Sequence, residues 1–202
     1  MTNDERDISN DQFHKNPYLM LQLYARGAFP MAEGKTGEIN WYMPEIRTII
    51  PLDNYNIPRS LKKFMGNNEF EIRYDFDFLP VVKACAERES TWISNELIEA
   101  YLRLQKLGYV HTVEVWKNNK LIGGLYGITY KGAFFGESMF SKVAQASKIA
   151  LVKLIEHLRE KDFVLLDVQY MTEHLKMFGA KEISFEEYGK MLVKVYKKEI
   201  EF

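Results

Sequence analysis

Asp167 and Gln169 stand two residues apart at the end of the apolar run Phe163-Val164-Leu165-Leu166. In a strand, a period of two sends both side chains to one face. A carboxylate and an amide on a buried face cost free energy unless they bond each other, a substrate or water. The pair is therefore either a polar site on a sheet floor or a buried aspartate tied to a neighbouring loop. Glu137 lies between Phe135 and Met139, which alternation puts on its own face. A lone carboxylate among large apolar side chains suits capture of a cation such as a Lys or Arg side chain; alternatively it holds a nearby loop. Met139 and Phe140, with Phe134 or Phe135 and Phe163, can line an apolar pocket that selects by volume, or can simply fill a core. Trp41 and Trp92 offer rings on which a base can stack, a contact worth roughly 1–3 kcal/mol.

Arg59, Lys62 and Lys63 fall on one side of a short helix by i, i+3 and i+4 spacing. Such a cluster is either a solvated face or a grip on an RNA backbone, and phosphate contacts of that kind carry no sequence information. His111, His157 and His174 stand far apart, with no carboxylate or cysteine at ligand spacing, so no metal site is expected. Cys85 is the only cysteine, which excludes a disulfide framework and a cysteine-rich zinc site. No Gly-x-x-x-x-Gly-Lys-Ser/Thr loop is present, so ATP hydrolysis has no support.

The elements that must position these residues can be read from punctuation and periodicity. Asn16-Pro17 opens a helix with an apolar stripe of Leu19, Met20, Leu23 and Tyr24, ended by Gly27. The Pro- and Asn-rich stretch 51–58 predicts a boundary, dividing a small N-terminal domain (1–55) from a catalytic domain (56–202). Beyond it come a short helix, a strand at 70–74, and helices capped by Asp77 and Ser94. Residues 110–116, 120–130 and 133–140 alternate like strands, with Lys117-Asn118-Asn119 and Lys131-Gly132 as turns. A helix over 146–161, a buried strand over 163–170, a short helix ending at Gly179 and a strand at 181–184 follow. Ser184-Phe185-Glu186-Glu187 then reads as a capping box. This is an α+β succession around a mixed, mainly antiparallel sheet, in the order of a GNAT-like acyltransferase domain.

The chain has 202 residues, 47% apolar and 27% charged, with a net charge of −1. That length can bury a full core, and the charge argues against a protein that coats nucleic acid while permitting a local basic patch. No run approaches the roughly 18 to 20 apolar residues that span a bilayer. Residues 1–11 are polar and acid-rich, without the basic and apolar segments of a secretory signal. A cytoplasmic protein is the expectation.

Several segments together carry a resemblance. Gly123-Gly124-Leu125-Tyr126-Gly127, Phe135-Gly136-Glu137-Ser138-Met139-Phe140-Ser141 and Ala146-Ser147-Lys148 resemble the motifs of the leucyl/phenylalanyl-tRNA–protein transferase family. Thr91-Trp92-Ile93, His111-Thr112-Val113-Glu114-Val115-Trp116, Asp167-Val168-Gln169 and Thr172-Glu173-His174-Leu175 continue it in the same order. So do Tyr24-Ala25-Arg26-Gly27-Ala28-Phe29-Pro30, Trp41-Tyr42-Met43-Pro44 and Arg59-Ser60-Leu61-Lys62-Lys63. The resemblance implies an enzyme that moves Leu or Phe, with Met a further donor, from aminoacyl-tRNA to the N-terminal Lys or Arg of acceptor proteins, marking them for N-degron degradation. It implies that Gln169 contacts the acceptor's α-amino nitrogen and that Asp167 polarises or orients Gln169. Glu137 would bind the acceptor peptide. Trp41, Trp92, Phe135, Met139, Phe140 and Phe163 would form the aminoacyl and adenosine pocket. Arg59, Lys62 and Lys63 would hold tRNA. The donor ester is already activated, so no cofactor is implied. An acetyl-CoA-dependent N-acetyltransferase is the alternative, but the stretch 141–148 lacks the glycines that bring backbone amides to a pyrophosphate.

Overall fold

The computed structural model describes residues 14–33, 37–67, 69–88 and 91–202; the polar opening stretch 1–11 lies outside them. The described elements run α1 (Pro17–Ala25), β1 (Phe29–Ala32), β2 (Ile39–Tyr42), β3 (Ile46–Ile50), α2 (Arg59–Gly66), β4 (Glu71–Tyr74), α3 (Phe78–Ala86) and α4 (Asn95–Lys106). They continue β5 (Val110–Lys117), β6 (Lys120–Tyr130), β7 (Ala133–Ser141), α5 (Ala146–Glu160), β8 (Leu165–Gln169), α6 (Glu173–Lys176), β9 (Lys181–Ser184) and α7 (Phe185–Val195). Among the described residues no helix is long and apolar enough to cross a membrane.

Seven strands form one sheet in the order β4-β5-β6-β7-β8-β3-β9. The meander β5-β6-β7 is antiparallel, closed by left-handed Asn118, Asn119 and Lys131 at its two turns. Among the described strands only β7 and β8 run parallel, because α5 carries the chain back across the sheet between them. Period two divides the strand side chains between two cores. Ile49, Phe135 and Leu165 pack with α1, α3, α4 and α7 on one face. Ile50, Phe134 and Leu166 pack with α2 and α5 on the other. The fold is a mixed α+β sandwich with a mainly antiparallel sheet.

The expected division near residue 55 does not fall between separate sheets. The β1–β2 hairpin is a small sheet of its own, but β3 lies inside the main sheet, paired antiparallel with β8 and β9. The Pro- and Asn-rich stretch follows β3 directly and leads into α2. Other differences are local. On α1 the buried residues are Met20, Leu21 and Tyr24, while Leu19 and Leu23 are only partly covered. Asp77 makes no side-chain cap; the buried carboxylate of Glu114 instead accepts the N–H groups of Phe76 and Asp77 at 3.1 and 2.8 Å. Strand β8 starts at Leu165, because the Phe163 amide closes back on Leu158 O at the end of α5. His111 and His157, distant in sequence, both pack on the Phe202 ring, with centroids 4.3 and 4.5 Å away.

Candidate active site

The parallel pairing of β7 and β8 stops at Phe135 and Asp167, while both strands run on. A cavity of about 100 Å³ opens between the two continuing ends. It is contiguous with an outer vestibule of about 270 Å³, and the two share Glu137, Ser138, Met139, Val168, Gln169 and Leu175. Each strand is irregular at this point. On β7, Gly136 pairs with Gly127 and Ser138 with Tyr126, so Glu137 is an extra residue without a partner across the ladder. Gly127 permits the close approach, since a Cβ there would sit 2.4 Å from the Phe135 carbonyl oxygen. On β8, Asp167 pairs with Ile49 and Gln169 with Thr48, so Val168 is the extra residue, and Gln169 takes a left-handed φ of 58°. Bulges of this kind re-aim side chains, and these two aim Glu137 and Gln169 at one cavity.

Asp167 and Gln169 are consequently not the joint polar face that alternation predicts. Asp167 is sealed, with no exposed surface. Its Oδ1 accepts from Arg47 Nε at 2.9 Å and from the Gln169 backbone N–H at 2.9 Å. Its Oδ2 accepts from Arg47 Nη2 and from the Tyr188 hydroxyl, both at 2.6 Å. Gln169 lines both cavities, and its buried Nε2 finds no partner among the described residues. Asp167 thus reaches Gln169 through the backbone rather than by touching its amide.

Glu137 is not a lone carboxylate. The Tyr24 hydroxyl donates to Oε1 at 2.9 Å and the Tyr101 hydroxyl to Oε2 at 2.7 Å. Burial raises its pKa to about 7, against the lowering effect of the two tyrosine hydrogen bonds. Tyr24 comes from α1 and Tyr101 from α4, so the carboxylate ties two helices to the sheet while still lining the cavity. Such a group can hold a cation arriving from the vestibule.

The inner cavity is aliphatic, walled by Leu125, Leu151, Leu154, Leu166, Val168 and Leu175, with Met139 beside them. Four of the aromatic candidates, Trp41, Phe135, Phe140 and Phe163, line neither cavity. Phe135 and Phe140 are buried in the core on the α1 side, Phe135 against the Tyr24 ring at 5.5 Å. Phe163 lines a separate cleft at the opposite end of β8 from Gln169. Trp92 and Met139 do line the vestibule. Trp41 packs edge-on to Tyr24 at 5.7 Å. Exposed Tyr170 and the neighbouring Phe29, whose rings meet at 5.6 Å, line the vestibule instead.

Arg59, Lys62 and Lys63 are all exposed on α2, whose Leu61 packs into the α5-side core. Among the described residues no group of three His, Cys, Asp or Glu is placed to hold a metal. Cys85 is buried and its thiol is pushed up to about 12 by that burial, which makes it a poor nucleophile.

Arg47, Tyr188, Tyr24, Tyr101 and Arg88 are the contributors that residue patterns did not single out. Arg47 had a signal: it is one cation inside the run Ile46-Arg47-Thr48-Ile49-Ile50, the counterpart of Asp167 in its own apolar run. The tyrosines had none, because a helical stripe does not reveal where a hydroxyl ends. Arg88, at the vestibule, donates to the Met139 carbonyl at 2.6 Å.

Comparison with known proteins bears on the same segments. The family described as leucyl/phenylalanyl-tRNA protein transferase matches residues 49–193, and its N-terminal domain matches residues 16–45. The leucyl/phenylalanyl-tRNA–protein transferase of Gloeobacter violaceus is 48% identical over 176 residues, covering 87% of this chain and 91% of its own length. That of Salinibacter ruber is 44% identical over 178 residues, covering 88% and 79%. Among solved structures, L-PGS from Bacillus licheniformis aligns over 78% of this chain and 54% of its own at 11% identity, with a TM-score of 0.44.

Proposed function

The chain belongs to the leucyl/phenylalanyl-tRNA–protein transferase family, and we propose that the cavity where β7 and β8 part is where it moves leucine or phenylalanine onto an acceptor protein. The donor is aminoacyl-tRNA, and the acceptor is a protein N-terminus, preferentially one beginning with Lys or Arg. The aliphatic inner cavity receives the donor side chain, selecting by volume and by the cost of burying anything polar. Methionine fits the same description. The vestibule, with Trp92, Tyr170 and Phe29, takes the terminal adenosine. Glu137 receives the cationic side chain of the first acceptor residue. The unpartnered amide of Gln169 faces the acceptor's α-amino group.

The reaction needs little from the enzyme beyond placement. The amine nitrogen forms a bond to the ester carbonyl carbon, the carbon–oxygen bond to the ribose breaks, and the proton shed by nitrogen ends on the released ribose oxygen. Holding a neutral amine against an activated ester accounts for large rate factors without a metal or an enzyme nucleophile. The exposed cations of α2 supply phosphate contacts. The GNAT-like arrangement, the cytoplasmic location and the role in N-degron marking belong to the same reading.

The observation that carries it is the joint exposure of Glu137 and Gln169 to one aliphatic cavity at the strand parting. The test is transfer of labelled Leu or Phe from charged tRNA to peptides that differ only in their first residue. Lys- and Arg-beginning peptides should be labelled and acetyl-CoA should not replace the tRNA. Gln169→Ala should lower transfer at least about 100-fold with tRNA binding retained. Equal labelling whatever the first residue would remove Glu137 from acceptor recognition.

A further inference from the structure

The reaction outlined above gives Arg47 no part, yet both residues assigned to the acceptor are braced through it. We propose that Arg47 is the positioning residue that sets Gln169 and Glu137 relative to each other, with Asp167 serving as its anchor and not as a proton acceptor. This rests on the proposed roles of Gln169 and Glu137.

The guanidinium has no exposed surface and makes two sets of bonds. Toward β8, Nε and Nη2 grip both oxygens of Asp167 at 2.6–3.0 Å. Toward the end of α1, Nη1 donates to the Gly27 carbonyl at 2.8 Å. Its plane sits between the Phe29 and Tyr188 rings, 4.6 and 4.9 Å from their centroids. Gly27 has a φ of 89°, and a Cβ on it would fall 2.6 Å from the Tyr188 ring, so this corner leaves no room for a side chain at position 27.

Each set of bonds leads to one acceptor residue. The grip on Asp167 leaves Oδ1 aimed at the Gln169 N–H, which holds Gln169 in its left-handed conformation. A residue with a side chain resists that conformation by roughly 1–2 kcal/mol, and this bond helps to offset it. The bond to Gly27 fixes the chain three residues beyond Tyr24, whose hydroxyl donates to Glu137. One fixed, planar fork thus spans β8 and α1, a task that a flexible ammonium performs poorly.

The same contacts argue against Asp167 as a base. Its two oxygens already accept from Arg47, Tyr188 and Gln169, and it has no exposed surface. A general base must come within hydrogen-bond reach of the proton it removes.

The test compares Arg47→Lys, Asp167→Asn and Asp167→Ala in the transfer assay, with tRNA affinity and thermal unfolding measured in parallel. Arg47→Lys should raise the KM for a Lys-beginning peptide and lower its kcat/KM by about 10- to 100-fold, with tRNA affinity unchanged. Asp167→Asn keeps an oxygen for the Gln169 N–H, so it should retain more activity than Asp167→Ala, and its pH–rate profile should match that of the wild type. A loss of transfer in Arg47→Lys that the fall in folded fraction, read from thermal unfolding, accounts for in full would overturn the positioning role. Loss of the acid limb in Asp167→Asn would make Asp167 a base and overturn the proposal by itself, even if Arg47→Lys does not fold. Absence of transfer by the wild-type protein would instead reject the function proposed above.

Discussion

Burial and hydrogen bonding pull Glu137 in opposite directions, and burial wins. Its pKa stands at about 7, against an ordinary value of 4.5. Between those two values the folded protein keeps a proton that the unfolded chain has released. Stability therefore falls as pH rises across that window and levels off above it. Glu137→Gln has no such proton to lose. Urea unfolding of the two proteins from pH 4 to pH 8 should show the wild type losing stability relative to the variant through the window; a constant difference would mean that the carboxyl is not held in its neutral form. The same titration links stability to recognition. A cationic acceptor residue favours the ionised carboxylate, so binding of a Lys-beginning peptide should strengthen as pH rises through about 7. Tyr24 and Tyr101 both donate to Glu137's oxygens, and those bonds ease its ionisation.

At the scale of elements, two strand irregularities and one helix face matter most. The bulges at Glu137 and Val168 create the site by breaking the alternation that otherwise sorts the sheet into two cores. The helix is α2, which turns Arg59, Lys62 and Lys63 to solvent and anchors itself by Leu61. Each phosphate neutralised by a cation contributes a little under one to the slope of log affinity against log salt. Lys62→Ala with Lys63→Ala should reduce that slope for charged tRNA by roughly 1–2, leaving kcat at saturating tRNA unchanged. A filter-binding salt series measures it. An unchanged slope would remove α2 from the RNA footprint and return its cations to ordinary solvation.

The whole molecule depends on a strand drawn from the N-terminal quarter of the chain. Strand β3 lies between β8 and β9 and delivers Arg47 to Asp167. Removing it would split β9 from the sheet and leave a buried carboxylate without its counter-ion. The second loss alone costs about 3–5 kcal/mol, a large share of the roughly 5–15 kcal/mol that holds a domain folded. A fragment of residues 56–202 should therefore show no cooperative thermal transition by circular dichroism. A fragment that melts near the temperature of the full chain would mean that β3 is dispensable.

Local chemistry was readable from the residues in order: the Asn16, Ser94 and Ser184 caps, the turns at Asn118-Asn119 and Lys131-Gly132, and the three-stranded meander all depend on neighbours within a few positions. The motifs around Glu137 and Gln169 fall on the two strands that line the candidate cavity. What they could not tell was which way those side chains point, because a bulge depends on the strand across the ladder, and period-two counting assumes that none is present. The same limit moved Phe135, Phe140 and Phe163 out of the cavity and put Leu151 and Leu154 of α5 into it. Arg47 lies 120 positions from Asp167. Only folding decides that the two share one sealed space, since burial charges a heavy desolvation cost to an ion that arrives there alone.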